Sequence, residues 1–197
     1  NLKNEIKISL NNDNHIFTSG FISYENLQET NSDRYEYILP YYNYSSILKY
    51  NPFDGEINFS SSGKNILNNT NQLKSNVIND IVYNSKDFIS LNGIKSSFAI
   101  NTKNLNSLGK NNAEYKSSPQ IELMNELKLD VSYPLLKQTE SNINYLTPRA
   151  MMKINPSDMK DYSSMDITTN VNNIFNNNRL GVKDTLEAGR SLTLGVN

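Results

Sequence analysis

Two stretches of the chain hold residue types and spacings that chemistry can use. In the first, Glu122 and Glu126 fall four residues apart, with Lys128 and Asp130 continuing at every second position. Paired carboxylates are the equipment of acid–base catalysis on glycosides. Here no nucleophile accompanies them, and a charge at every second residue lines one face of a strand, as in a polar lumen. The second stretch carries Asn178, Arg179, Gly181, Asp184, Glu187, Gly189 and Arg190. Gly181 permits a turn with φ > 0, and an Arg179–Asp184 pair can staple such a turn. A loop held in this way either fixes the chain's path into the next strand or touches a partner. Asp158, Asp161, Asp166 and Asp184 do not follow the spacing of an EF-hand calcium loop. His15 stands beside Asn-Asn-Asp-Asn and reads as a solvated turn residue. With no Cys, disulfides, thiolate zinc sites and cysteine nucleophiles are excluded, and a single His weighs against a serine–histidine triad or a multi-histidine metal centre. The expectation is a protein without catalytic residues, metal or cofactor.

Composition narrows the partners. Nineteen basic and twenty acidic residues leave a net charge of −1 over 197 residues, no footprint for nucleic acid and no basic face for anionic lipid. Only 37% of the chain is apolar, and no run of 18 apolar residues exists, so no transmembrane helix is expected. Roughly one residue in six is Asn, which the codon supply of an AT-rich genome accounts for; only Asn176-Asn177-Asn178 is locally repetitive. No initiator Met and no signal-peptide pattern open the sequence, so its beginning is expected to be missing.

The elements that must position these residues are strands. From Gln120 to Tyr133, Ile121, Leu123, Leu127, Leu129, Val131 and Tyr133 share one face, while Glu122, Glu126, Lys128 and Asp130 share the other. Leu2–Leu10 alternates in the same way, as do Leu186, Ala188, Leu192, Leu194 and Val196. Nine strands are predicted, near 2–10, 15–24, 34–50, 56–62, 73–83, 88–102, 119–134, 142–154 and 185–197. The connections between them alternate. Asn11–Asn14, Asn51–Gly55, Asn84–Asp87 and Leu136–Ser141 are short, and Glu25–Asp33, Gly63–Gln72, Lys103–Ser118 and Asn155–Asp184 are long. An up-and-down meander with tight turns at one end and loops at the other is the pattern of an outer-membrane β-barrel. Tyr24, Tyr50, Tyr83 and Tyr133 near strand ends fit an interfacial girdle, although Tyr is also a good strand former. A soluble antiparallel sandwich alternates too and remains the other reading. Nine strands are an odd number, and the last still alternates where the sequence stops. The domain is therefore expected to be an interior part of a larger barrel.

The last third adds a resemblance. Asn172-Asn173-Ile174-Phe175 leads into Asn178-Arg179-Leu180-Gly181, then Asp184, Glu187, Gly189-Arg190 and Gly195. This resembles the signature of the lipopolysaccharide-assembly outer-membrane protein family (LptD, organic-solvent-tolerance protein). There an Asn-Leu-Phe step precedes Asn-Arg-Phe-x-Gly-x-Asp and Glu-x-Gly-x-Arg. Ser132-Tyr133-Pro134, Leu146-Thr147-Pro148-Arg149 and Leu39-Pro40 with Tyr42 and Tyr44 resemble other strand ends of the family, in the same order from about Tyr35 onward. Leu180 stands for the usual Phe, Lys183 for a common aromatic, and Gly189-Arg190 lacks the intervening residue. The family's periplasmic jellyroll and its cysteines are absent from this sequence.

The resemblance implies a non-enzymatic role in the cell outer membrane of a Gram-negative bacterium, inserting lipopolysaccharide into the outer leaflet. It implies four partners: lipopolysaccharide, a plug lipoprotein (LptE), a periplasmic bridge protein (LptA) and outer-membrane lipid. The segment itself would supply barrel wall, lumen face and loops. The alternatives are a porin or receptor-type barrel for small solutes, and a secreted β-rich adhesion module. A porin requires a constriction loop folded inside.

Overall fold

Alternating side chains punctuated by Asn, Gly and Pro build an all-β protein. The computed structural model describes residues 1–28, 34–48, 54–69, 71–139, 141–159, 168–179 and 181–196. Expectations resting on Tyr50, Asp161, Asp166 and Leu180, and on parts of the loops at 25–33, 51–55 and 155–184, lie outside the described residues. The strands are β1 (Leu2–Asn12), β2 (His15–Glu25), β3 (Tyr35–Leu48), β4 (Glu56–Asn68), β5 (Gln72–Asn84), β6 (Phe88–Ile89), β7 (Lys95–Lys110), β8 (Gln120–Ser132), β9 (Leu135–Gln138), β10 (Ile143–Leu146), β11 (Pro148–Asn155) and β12 (Gly189–Val196). The sheet follows the order β1-β2-β3-β4-β5-β7-β8-β11-β12, with β6 on β7, while β9 and β10 form a separate hairpin. The order is an antiparallel meander, and among the described residues no pairing joins β1 to β12.

Several boundaries differ from the sequence reading. The expected long connection 63–72 is a tight turn, because β4 continues through polar residues to Asn68 and only 69–71 remain, with Asn69 at φ 49°. The expected strand 88–102 is instead a two-residue strand, a turn through Gly93 (φ 82°) and a strand running on to Lys110. Residues 103–110 hide from the apolar count because their covered face is Lys103, Leu105, Ser107 and Gly109. The expected strand 142–154 breaks at Thr147 into β10 and β11, and most of the expected turn 136–141 belongs to the β9–β10 hairpin. Strand β12 begins at Gly189, leaving Thr185 and Leu186 buried ahead of it.

Contacts divide the chain into two units. The first comprises Asn1–Leu48, Asn58–Ile81 and Lys103–Leu123; the second comprises Lys49–Ile57, Val82–Thr102 and Met124–Asn197. In the first, β1 and β2 pair in register from Leu2↔Glu25 to Asn12↔His15, and Tyr41 on β3 donates to Glu5 at 2.7 Å. The loop after β7 folds back so that Tyr115 is buried, accepting from Asn76 Nδ2 at 3.0 Å. Lys103, almost fully buried, pairs with Asp80 at 2.7 Å. A row of polar side chains interrupts the opposite face. Tyr42 and Ser61 lie 3.1 Å apart, Ser61 donates to Asn79 at 2.7 Å, and Asn79 donates to Asn104 at 3.2 Å. Each amide has a partner within the row, which avoids the cost of stranded polar groups.

In the second unit, the turn after β5 lies beside the residues that precede β4. Lys86 pairs with Asp54 at 2.6 Å, and Ser85 N–H donates to the Phe98 carbonyl at 2.8 Å. In the first unit, Lys74 near the start of β5 pairs with Glu114 of the β7–β8 loop.

Tyr42 lies across Gly63 of the neighbouring strand, so a Cβ at 63 would run into the ring. Gly63→Val is expected to cost about 1–3 kcal/mol, the range for overpacking. Most of that should return in the Gly63→Val/Tyr42→Ala double variant. Equilibrium unfolding of the single and double variants checks it, and additive losses would show that the ring contact is not the cause.

Candidate functional site: a segment docked on the polar face

The alternation seen in sequence sorts side chains onto two faces of β8, β11 and β12, with burial reversed from that of a water-soluble sheet. On β12, Leu192 and Leu194 are 67% and 70% exposed, whereas Thr193 between them is 4% exposed. On β8, Leu123, Leu127, Leu129 and Val131 are exposed, Glu126 and Met124 are buried, and Glu122, Lys128 and Asp130 are half-buried. On β11, Met151, Lys153 and Asn155 are buried while Met152 is exposed. The expected polar face thus exists, with Met124 on it and Asn125 on the apolar side. Asn125 accepts from Thr102 Oγ1 at 2.9 Å.

The segment 168–188 covers that face. Register places Lys153 directly opposite Lys128, an unfavourable like-charge pair on its own. Both ammoniums are satisfied by the segment. Lys153 Nζ donates to the Asn176 and Asn177 carbonyls at 2.9 and 2.7 Å, and Lys128 Nζ donates to Asn177 Oδ1. Glu126 lies close enough to Lys153, Lys128, Arg179 and Glu187 to interact electrostatically with all four. Phe175 fits between Arg149, whose guanidinium is 4.6 Å from the ring centroid, and Gly195, where an added Cβ would come within 2.8 Å of the ring. Arg149 is held for this by a bidentate pair with Asp130, at 3.0 and 2.6 Å.

The ion pair of the signature stretch differs from expectation. Arg179 does not staple to Asp184; its guanidinium forks onto the Glu187 carboxylate, with Nε 2.8 Å from Oε2 and Nη2 on Oε1. Its other donors reach Ser191 Oγ at 3.0 Å and Thr193 Oγ1 at 3.4 Å. Glu187 wins because the chain straightens just ahead of β12, where its carbonyl also accepts from Asn155 Nδ2 at 3.0 Å. Gly181 has φ +69°, the left-handed turn foreseen for it. Its N–H donates to Asn178 Oδ1 at 3.0 Å, and Asn178 Nδ2 donates to the Val182 carbonyl at 2.8 Å. Gly189 opens β12 at φ +90°, and Arg190 beside it is exposed. Asn170 and Asn173 cap neighbouring N–H groups at 2.8–2.9 Å, so the Asn-rich stretch supplies its own turn chemistry.

Arg149 with Asp130 and Arg179 with Glu187 are paired, whereas Glu126 Oε2 is buried without a hydrogen-bond partner among the four charges around it. Among the described residues, no three metal-ligating side chains converge. The sequence reading missed Lys153, Arg149, Phe175 and Thr193. The Lys128–Lys153 opposition appears only once register is known, and Phe175 was visible only as part of a motif.

Arg179 is the anchor with most to lose, since its side chain is 11% exposed and that of Glu187 is 25%. Arg179→Ala should destabilise the fold by roughly 2–3 kcal/mol, below the range for a fully buried pair because Glu187 retains some water. Arg179→Ala and Glu187→Ala should be strongly non-additive, and Arg179→Ala with Asp184→Ala close to additive. Denaturant unfolding of both cycles reads the difference, and coupling to Asp184 instead would restore the rejected staple. At Gly181, nothing lies within 4 Å of an added Cβ. Gly181→Val should therefore cost about 1–2 kcal/mol through backbone conformation alone, with Gly181→Asn recovering most of it. Equal losses for Val and Asn would point to a contact rather than to φ.

Comparison with protein-family models, with curated proteins and with solved structures gives no match to this chain.

Proposed function

We propose that the chain forms part of the wall of an outer-membrane β-barrel of a lipopolysaccharide translocon in a Gram-negative bacterium. Its apolar face would meet lipid and its polar face would line the lumen. The observation that carries the barrel reading is the reversed burial of β8, β11 and β12, where Leu, Val and Met stand bare over a covered polar face. A bare Leu in water forgoes about 1.5–3 kcal/mol of transfer free energy, and several in one patch call for an apolar surrounding. Lipid is the surrounding in which polar-in, apolar-out alternation is stabilising. The assignment to lipopolysaccharide transport is supported by the motif order from Tyr35 to Gly195. On this reading the partners are lipopolysaccharide, a plug lipoprotein (LptE), a periplasmic bridge protein (LptA) and outer-membrane lipid. The role is conduction without covalent chemistry, and segment 168–188 narrows the polar side of the wall.

One observation favours a second reading. The inward fold of 168–188 is what a solute porin needs to set its constriction. Transport distinguishes the two. Depletion of the protein should remove newly made lipopolysaccharide from the cell surface and raise permeability to large hydrophobic antibiotics. The porin reading instead predicts normal surface lipopolysaccharide and sugar-dependent swelling of liposomes holding the purified barrel.

The lipid-facing assignment has its own energetic check. In bilayers, Leu194→Arg should cost about 2–4 kcal/mol if it lies near mid-depth, and Leu194→Met under about 1.5 kcal/mol. Reversible unfolding in lipid vesicles measures both, and an Arg variant as stable as the Met variant would reject a lipid-facing Leu194.

A further inference from the structure

Within the first unit, the chain ends of β2 and β3 and the turn between β4 and β5 enclose a cavity of about 440 Å³. That lies within the range of small-ligand sites. Its lining comprises Asn1, Asn26, Asn68, Asn69 and Gln72 with Tyr24, Tyr35, Arg34 and Glu36, so amides, phenols, one guanidinium and one carboxylate make it up. Two of these polar groups are buried without a hydrogen-bond partner: Asn68 Oδ1, an acceptor, and Arg34 Nε, a donor. The Glu25 carboxylate lies 3.0 Å from Arg34 Nε, but outside hydrogen-bond geometry. Leaving buried polar groups without partners is costly, and an orphan donor and an orphan acceptor beside one cavity call for a ligand that supplies both complements.

The guanidinium is already positioned. Arg34 Nη2 donates to Tyr35 Oη at 2.6 Å, and its carbon lies 4.8 Å from the Tyr35 ring centroid. Its charge is met by Glu25, and Glu36 adds a carboxylate to the lining, which disfavours phosphate. The hydroxyl is the group that accepts from an N–H and donates to a carbonyl oxygen at once. We infer that this cavity is a binding site for a neutral saccharide, one or two sugar rings deep, with Asn68 accepting from a sugar hydroxyl and Arg34 Nε donating to one.

The site belongs to the first unit and does not rest on the transport reading. Its glycan source can be free or attached to a lipid, and the test separates the two. The full-length folded protein is titrated by saturation-transfer NMR with maltotriose in one arm and with micelles of rough-type lipopolysaccharide in the other. Asn68→Leu and Arg34→Met serve as variants. Saccharide protons in at least one arm should receive saturation, and both variants should weaken that binding at least tenfold. Thermal unfolding controls for folding: Asn68→Leu removes an unsatisfied acceptor, so its Tm should match or exceed that of the parent. Arg34→Met disturbs the Glu25 pair, so a loss of binding in that variant alone, accompanied by a lower Tm, counts against the site. Response to maltotriose assigns a free glycan, and response only to lipopolysaccharide assigns a lipid-borne one. No transfer in either arm, or transfer that Asn68→Leu leaves unchanged, overturns the proposal.

Discussion

Water would be a poor environment for Leu192, Leu194 and Val196, which stand bare on one side of β12 while Ser191, Thr193 and Gly195 face the covered side. Hydrophobic burial ordinarily drives the opposite arrangement. The same reversal runs through β8 and β11, so it belongs to this part of the sheet and not to one misplaced strand. Once the apolar face is assigned to an apolar surrounding, much else follows. The strands are long because they must traverse something, and every backbone group along them needs a ladder partner. Polar side chains on the bare face must find partners, as Asn125 does in accepting from Thr102 Oγ1.

The covered face then sets a different problem, since charges leave water there too. Lys128 and Lys153 oppose each other across β8 and β11, and neither is tolerable alone in a dry environment. Carbonyls of Asn176 and Asn177 and the side chain of Asn177 resolve this, and the Arg179–Glu187 fork fixes the return of the chain into β12. Docking of 168–188 is thus a requirement of the sheet's own electrostatics. Rearrangement of the segment would need another set of acceptors for both lysines.

The meander and the facial split were legible because period-2 alternation records burial directly, most clearly from Gln120 to Ser132. Strand β7 beyond Thr102 was not, because its covered face mixes Lys, Leu, Ser and Gly and gives no apolar rhythm. The turn at 69–71 was misjudged for the same reason, since β4 continues through Lys64 and Asn65 without an apolar signal. Gly181 was readable because a positive φ singles out glycine, whereas the partner of Arg179 was not. Asp184 and Glu187 are equally plausible by spacing, and only the path of the chain into β12 decides between them. The abundance of Asn, attributed to codon supply, also has a structural use: Asn112, Asn155, Asn170 and Asn178 all cap backbone N–H groups in loops.

The central claim is that the apolar face of β12 contacts lipid, and the absence of Trp from the sequence makes it directly measurable. A single Trp placed at Leu194, and in a second protein at Thr193, can be read by fluorescence quenching in vesicles of brominated phospholipid. The account predicts strong quenching at 194 by bromines near the bilayer centre and little at 193. Equal quenching at the two positions, or none at 194, would contradict it.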